Sequence, residues 1–197
     1  MFGQHTTKQT GVPSLPPETT APLLSVEPLA GYESTIGRWL WVLEDTRRET
    51  KEEALTGLVS AVLDWTPPHG ENSIGTLLYH IALIELDWLY TEALESQPLP
   101  AELKPLVALD DRDAQGRLSP LVGETLEEHL HRLDLVRQYL LAAFRGMTVQ
   151  EFRRPHPFPR YRVTAEWVLQ HLIQHEGEHR GQIQLLRSLA EAALDAR

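Results

Sequence analysis

The sequence predicts an all-α fold, a four-helix bundle within one domain. Three observations lead there. Four segments repeat apolar residues at three- and four-residue steps, the signature of helices with one buried face. No segment reads as a strand. The 197 residues suffice for one well-formed core and not for two full domains. Four long amphipathic helices pack best with their apolar stripes turned to a shared axis.

The first 26 residues, "MFGQHTTKQTGVPSLPPETTAPLLSV", carry prolines and threonines without helical periodicity and read as an extended or disordered arm. They lack the apolar centre of a secretion signal. The bundle domain spans 27–197. Its first helix runs from about Leu29 to Glu49, with Ile36, Leu40 and Leu43 on one face. Trp39 and Trp41 cannot both point inward from it, so one is expected under the arm or in a subunit contact. A short helix and a turn follow between Lys51 and Pro68. Ser73 or Asn72 can cap the second helix, Ser73 to Leu94, whose stripe is Ile74, Leu77, Leu78, Ile81, Ile84 and Trp88. The long connection 95–123, with its "DDRDAQGR", reads most simply as a solvated loop, although a loop of that length can also cover a site. It also permits a crossover between helices two and three. The third helix, Glu124 to Phe144, buries Leu126, Leu130, Leu133, Leu140 and Phe144. The last runs from Thr164 to Leu194.

Composition narrows the function classes. Acidic residues outnumber Lys and Arg by 28 to 18, which argues against a nucleic-acid partner. The four arginines of "RRPHPFPRYR" (153–162) are read most simply as a solvated loop pairing with acids. No apolar run reaches the ~18–20 residues of a membrane span. The absence of cysteine excludes disulfides, a cysteine nucleophile and thiolate metal sites, and it is compatible with a cytoplasmic setting.

The stretch "HLIQHEGEHRGQI" (171–183) places His171, His175 and His179 four residues apart on one helical face. Val168, Leu172, Leu186 and Ala193 project near His175, so His175 and His179 are expected mid-face and buried. A buried imidazole needs a hydrogen bond, an ion pair or a metal. Two histidines at i and i+4 can clamp one ion, with nitrogens ~2.0–2.1 Å from it. His80, beside the apolar stripe of helix two, can supply the third ligand if helices two and four are neighbours. Three neutral ligands would leave an ion its full 2+ charge, as a catalytic site needs. His171, one turn too far, is expected to line the pocket or support the site. His129 is a weaker substitute ligand, and Asp87 a candidate carboxylate for orienting a neighbour. Gln182 projects within ~20° of His175, so its amide needs partners. The remaining histidines, His5, His69, His131 and His156, read as solvent or loop residues. Gly177 and Gly181 sit mid-helix at a cost of ~1 kcal/mol each against alanine, which points either to a close neighbour or to a tolerated weak helix.

"WVLQHLIQHEGEHRGQIQLL" (167–186) resembles the last-helix signature of the DinB/YfiT-like superfamily of metal-binding four-helix bundles, and "NSIGTLLYHIALIELDWL" (72–89) resembles its first ligand helix. The resemblance covers residues 28–190. It implies a metal triad of His80, His175 and His179, a divalent nickel or zinc ion, and a homodimer. Members with assigned chemistry are transferases or isomerases using low-molecular-weight thiols such as bacillithiol or mycothiol, and others are described as metal-dependent hydrolases. The function expected is therefore a thiol-dependent S-transferase acting on a small-molecule electrophile. A hydrolase using a metal-activated water and a non-catalytic metal-binding or structural bundle stand as alternatives.

Overall fold

A computed structural model describes residues 22–68 and 72–196. The arm expected over 1–26 lies largely outside these residues, as do His5 and His69. Four helices form the bundle: α1 (Ser34–Glu49), α3 (Ile74–Asp87), α4 (Leu126–Phe144) and α6 (Ala165–Asp195). Two single-turn helices, α2 (Ser60–Leu63) and α5 (Val149–Phe152), lie in the connections. Polar side chains set the helix starts. Ser73 accepts from the Thr76 amide, Thr125 and Glu128 cap each other reciprocally, and Thr164 accepts from the Trp167 amide. At their C-terminal ends α1 and α3 widen into π-helical turns, Thr50–Leu55 and Trp88–Ala93.

The connection between α5 and α6, expected to be loop, contains a two-residue antiparallel ladder, β1 (His156–Pro157) with β2 (Arg162–Val163). A ladder this short has no periodicity to read. It buries His156, placed in solvent by the sequence reading, with Nδ1 3.3 Å from a Glu95 carboxylate oxygen.

Side-chain pairings give the helix directions. Trp39 and Glu49 of α1 meet Glu166 and Arg180 of α6 in the same order, so these helices run parallel. His129 approaches Gly75 and Arg137 meets Glu85, so α4 runs parallel to α3. Parallel neighbours in sequence require a crossover, which is what the 95–123 connection supplies. On its way it is stitched to α3. Leu109 donates its amide to the Tyr79 hydroxyl and accepts from it, at 2.8 and 2.9 Å, and the Leu121 amide reaches Thr76.

The core has two apolar halves. One gathers Leu63, Leu77, Ile81, Val136 and Ile183; the other gathers Ile36, Leu43, Leu89, Leu140 and Leu172. Between them lies a buried ionic belt with one member from each bundle helix: Arg47, Glu85, Arg137 and Glu176. Arg47 reaches Glu176 at 2.6 Å, Glu85 at 2.9 Å and the Leu133 carbonyl at 3.0 Å. Arg137 reaches Glu85 at 2.7 Å, Glu176 at 3.2 Å, Glu44 at 2.8 Å and the Leu43 carbonyl at 3.0 Å. Burial alone would push the Glu176 carboxyl up, but Arg47 and Arg137 outweigh it and hold the group below its ordinary range.

This belt corrects the expected orientation of α6. Its inward face runs through Leu169, Leu172, Glu176, Ile183 and Ala190, with Glu176 2% exposed. His175 and His179 sit on the flank, half-buried, facing α3. The sequence argument took the apolar residues near His175 as its only guide to the inward face and did not weigh Glu176, whose position is tenable only because of arginines from two other helices.

Candidate metal centre

α6 and α3 run antiparallel, and their facing flanks bring His175 and His179 against His80. The Nε2 atom of His175 lies 3.1 Å from Nε2 of His80 and 3.1 Å from Nε2 of His179. One nitrogen from each ring falls within 4.8 Å of the other two. A tetrahedral ion with ~2.1 Å bonds would need ligand nitrogens ~3.4 Å apart, so the three rings are close to a binding arrangement.

The outer nitrogens fix which atom carries the proton. His80 Nδ1 donates to Asp111 Oδ1 at 2.5 Å, and His179 Nδ1 donates to Gln182 Oε1 at 2.9 Å. In their neutral forms both rings then present Nε2 as a bare lone pair toward His175. His175 has one Nε2 proton at most, so it cannot satisfy two acceptors with good geometry. A cation between the three would satisfy all of them, and this donor set fits a divalent ion with nitrogen preference. Burial, then the nearness of His179 and His80, lowers the His175 pKa to about 3, so its ring is neutral at physiological pH. Burial also lowers His80, partly offset by Asp111.

The other residues singled out from sequence fall into different places. Gln182 is an exposed side chain that supports His179. His171 stacks on Trp167, interplanar angle 6°, and lies 4.2 Å from the Trp88 ring, forming an aromatic wall whose His171 ring centroid is 5.9 Å from that of His175. His129 is buried on α4, its Nδ1 3.3 Å from Arg132, and is not part of the triad. Asp87 is exposed and accepts from Thr91; the carboxylate that orients a triad ring is Asp111 instead. A Cβ at Gly177 or Gly181 would meet nothing within 4 Å among the described residues, so neither marks a close helix contact.

Asp111 comes from "DDRDAQGR", read as solvated loop. The run is a tight turn: Asp113 Oδ1 accepts from the amides of Gln115 and Arg117, Arg112 bridges to Leu118, and Gly116 adopts φ +77° where a side chain would be strained. Anchored by Tyr79, this turn carries Asp111 onto His80. Nothing in the spacing 80 to 111 signals that pairing. The only available hint was a long loop rich in aspartate.

A family model described as the DinB superfamily matches residues 42–183, which contain all three histidines and Asp111. The chain belongs to the DinB superfamily. It is also similar to an uncharacterized Bacillus subtilis (strain 168) protein, YuaE, with 28% identity over 162 residues, covering 77% of this chain and 99% of that relative. Among the described residues of this DinB-superfamily chain, no helix is long and apolar enough to cross a membrane.

Proposed function

We propose that this protein is a metal-dependent S-transferase, with nickel or zinc held by His80, His175 and His179 and a low-molecular-weight thiol as co-substrate. The observation that carries the reading is the convergence of three imidazole Nε2 atoms, two of them forced to be lone-pair donors by Asp111 and Gln182. A divalent ion there would lower the pKa of a thiol and favour the nucleophilic thiolate. The chain's own residues do the rest. Asp111 and Gln182 hold protons at Nδ1 and keep the rings aimed, and neutral ligands leave the ion's charge uncompensated. Trp167, Trp88 and His171 offer an apolar wall on which an electrophile can rest. The reading includes a homodimer and a cytoplasmic setting, the second in keeping with a chain free of cysteine.

Two measurements test this. Metal per chain is determined by mass spectrometry on tag-free protein purified without chelator, and the expected value is one nickel or zinc. Turnover of a small electrophile is then followed with and without added thiol. Dependence on both metal and thiol is expected. Turnover that needs metal and ignores thiol would replace the transferase with a hydrolase, and thiol transfer that survives metal removal would sink the mechanism.

A further inference from the structure

The turn that carries Asp111 to His80 is stiff within itself. The Asp113 carboxylate accepts from two amides, and the Ser119 amide donates to the Asp111 carbonyl at 3.0 Å. Its ties to the bundle are few. Among the described residues, the hydrogen bonds that join 107–120 to the helices are those of Tyr79 with Leu109 and of His80 with Asp111. Val107 and Leu118 add apolar contact with the core. Apolar contact is non-directional, so it sets the depth of the turn and not the aim of a carboxylate.

Tyr79 supplies the direction. Its ring is buried, and its hydroxyl donates to the Leu109 carbonyl while accepting from the Leu109 amide. One hydrogen bond would let Leu109 swing about it; two of opposite sense to the same residue hold it still. Asp111 follows two residues later, within ~7 Å of chain, and Tyr79 itself precedes His80. The four residues close a short ring, from helix to loop and back to helix. A shift of ~1 Å at Asp111 would carry its 2.5 Å contact with His80 to the limit of hydrogen bonding. Two residues of α4 that the triad does not use support this ring. Arg132 lies over the Tyr79 ring, 5.1 Å from its centroid, and donates Nε to the Leu106 carbonyl at 2.7 Å. Glu124 and the Nδ1 lone pair of His129 hold its other nitrogens, at 2.6 and 3.3 Å.

We propose that Tyr79 is a positioning residue of the metal centre: its hydroxyl places Asp111, and through Asp111 it fixes which nitrogen of His80 carries the proton and where the other one points. The consequence for metal affinity rests on the metal reading above. The consequence for His80 itself does not, and it can be measured without metal.

The test uses full-length protein and Tyr79→Phe, which keeps the ring and removes only the hydroxyl. In metal-free protein labelled with nitrogen-15 histidine, NMR at neutral pH reads the tautomer of His80 and the rate at which its Nδ1 proton exchanges with water. Exchange is expected to be about fivefold faster in Tyr79→Phe, the population change that one net hydrogen bond makes. A His80 protonated at Nε2 in the unaltered protein, or an exchange rate that Tyr79→Phe leaves unchanged, overturns the proposal. Zinc affinity is then measured by competition with a chromophoric chelator. Tyr79→Phe should weaken it about 3- to 10-fold, part of the loss that removing an orienting carboxylate brings. In an Asp111→Asn background the same change should cost less than about twofold, because the two residues act through one contact. A merely structural role would give equal losses in both backgrounds, and that result overturns the proposal. Thermal melts check the folding of each variant. Should Tyr79→Phe not fold, Arg132→Lys, which releases the Leu106 carbonyl, enters the same exchange measurement and the same cycle with the same outcomes. Absence of zinc binding by the unaltered protein rejects the metal reading instead and leaves the exchange rate to decide.

Discussion

His175 and Glu176 are adjacent in the chain, yet they belong to two polar clusters of opposite character. Glu176 enters the ionic belt, where Glu85 and Glu176 meet two guanidiniums that also reach Glu44 and two backbone carbonyls. Each buried carboxylate there faces both guanidiniums. His175 enters the triad, where lone pairs face lone pairs and no counter-charge lies between. A cluster complete in itself holds the fold together. A cluster with more lone pairs than protons could hold a metal ion. The belt fixes the rotation of α6, and that rotation presents His175 and His179 to His80.

The difference can be broken from either side. Arg137→Ala should have the largest effect, about 3–5 kcal/mol off the unfolding free energy, because it leaves two buried carboxylates, Glu85 and Glu176, to share the single charge of Arg47. Denaturant melts measure it, and a loss under about 1 kcal/mol would show that the belt is solvated. His175→Ala should abolish metal binding while leaving the helical circular dichroism and cooperative unfolding in place, since the ring lies on the flank and not in the core. Metal content and a thermal melt on one sample decide this.

Acid separates the two clusters further. His175 titrates near 3 when folded and at an ordinary ~6.5 when unfolded. The unfolded chain therefore takes up the proton first, and metal-free protein should lose stability as pH falls from about 6.5 toward 3. Glu176 is held below its ordinary value, so the stability it lends is complete above ~4.5 and lost as pH drops through its folded value. Urea melts from pH 7 to 3 should show two phases, and His175→Ala should shrink the upper one, to which the other buried imidazoles His80, His129 and His171 also contribute, while sparing the lower. A single phase, unchanged in that variant, would contradict the assignment.

Smaller effects sharpen the picture. Asp111→Asn should weaken metal binding about 10- to 100-fold, as loss of an orienting carboxylate does, with little change in the metal-free melt. Gly181→Ala should stabilise the protein by about 0.5–1 kcal/mol, since the added methyl meets open space and the helix gains a better former.

Much of this molecule was legible in its residues. Apolar spacing gave the four bundle helices to within a few residues at most ends, because a stripe that must be buried repeats with the helix turn. The i, i+4 pair His175 and His179 and the amphipathic placement of His80 singled out the triad, since local helix geometry alone brings the first two together. The missed features are those made by distant chain segments. Asp111 reaches His80 across 31 residues through a turn anchored on Tyr79. The ionic belt draws one residue from each helix, and no single helix reveals that its charged residue is inward. Sequence fixes what each helix can bury on its own, because periodicity is a property of one segment. Which charges are neutralised, and which lone pairs are left facing one another, depends on what the other three helices bring, and only the tertiary structure decides that.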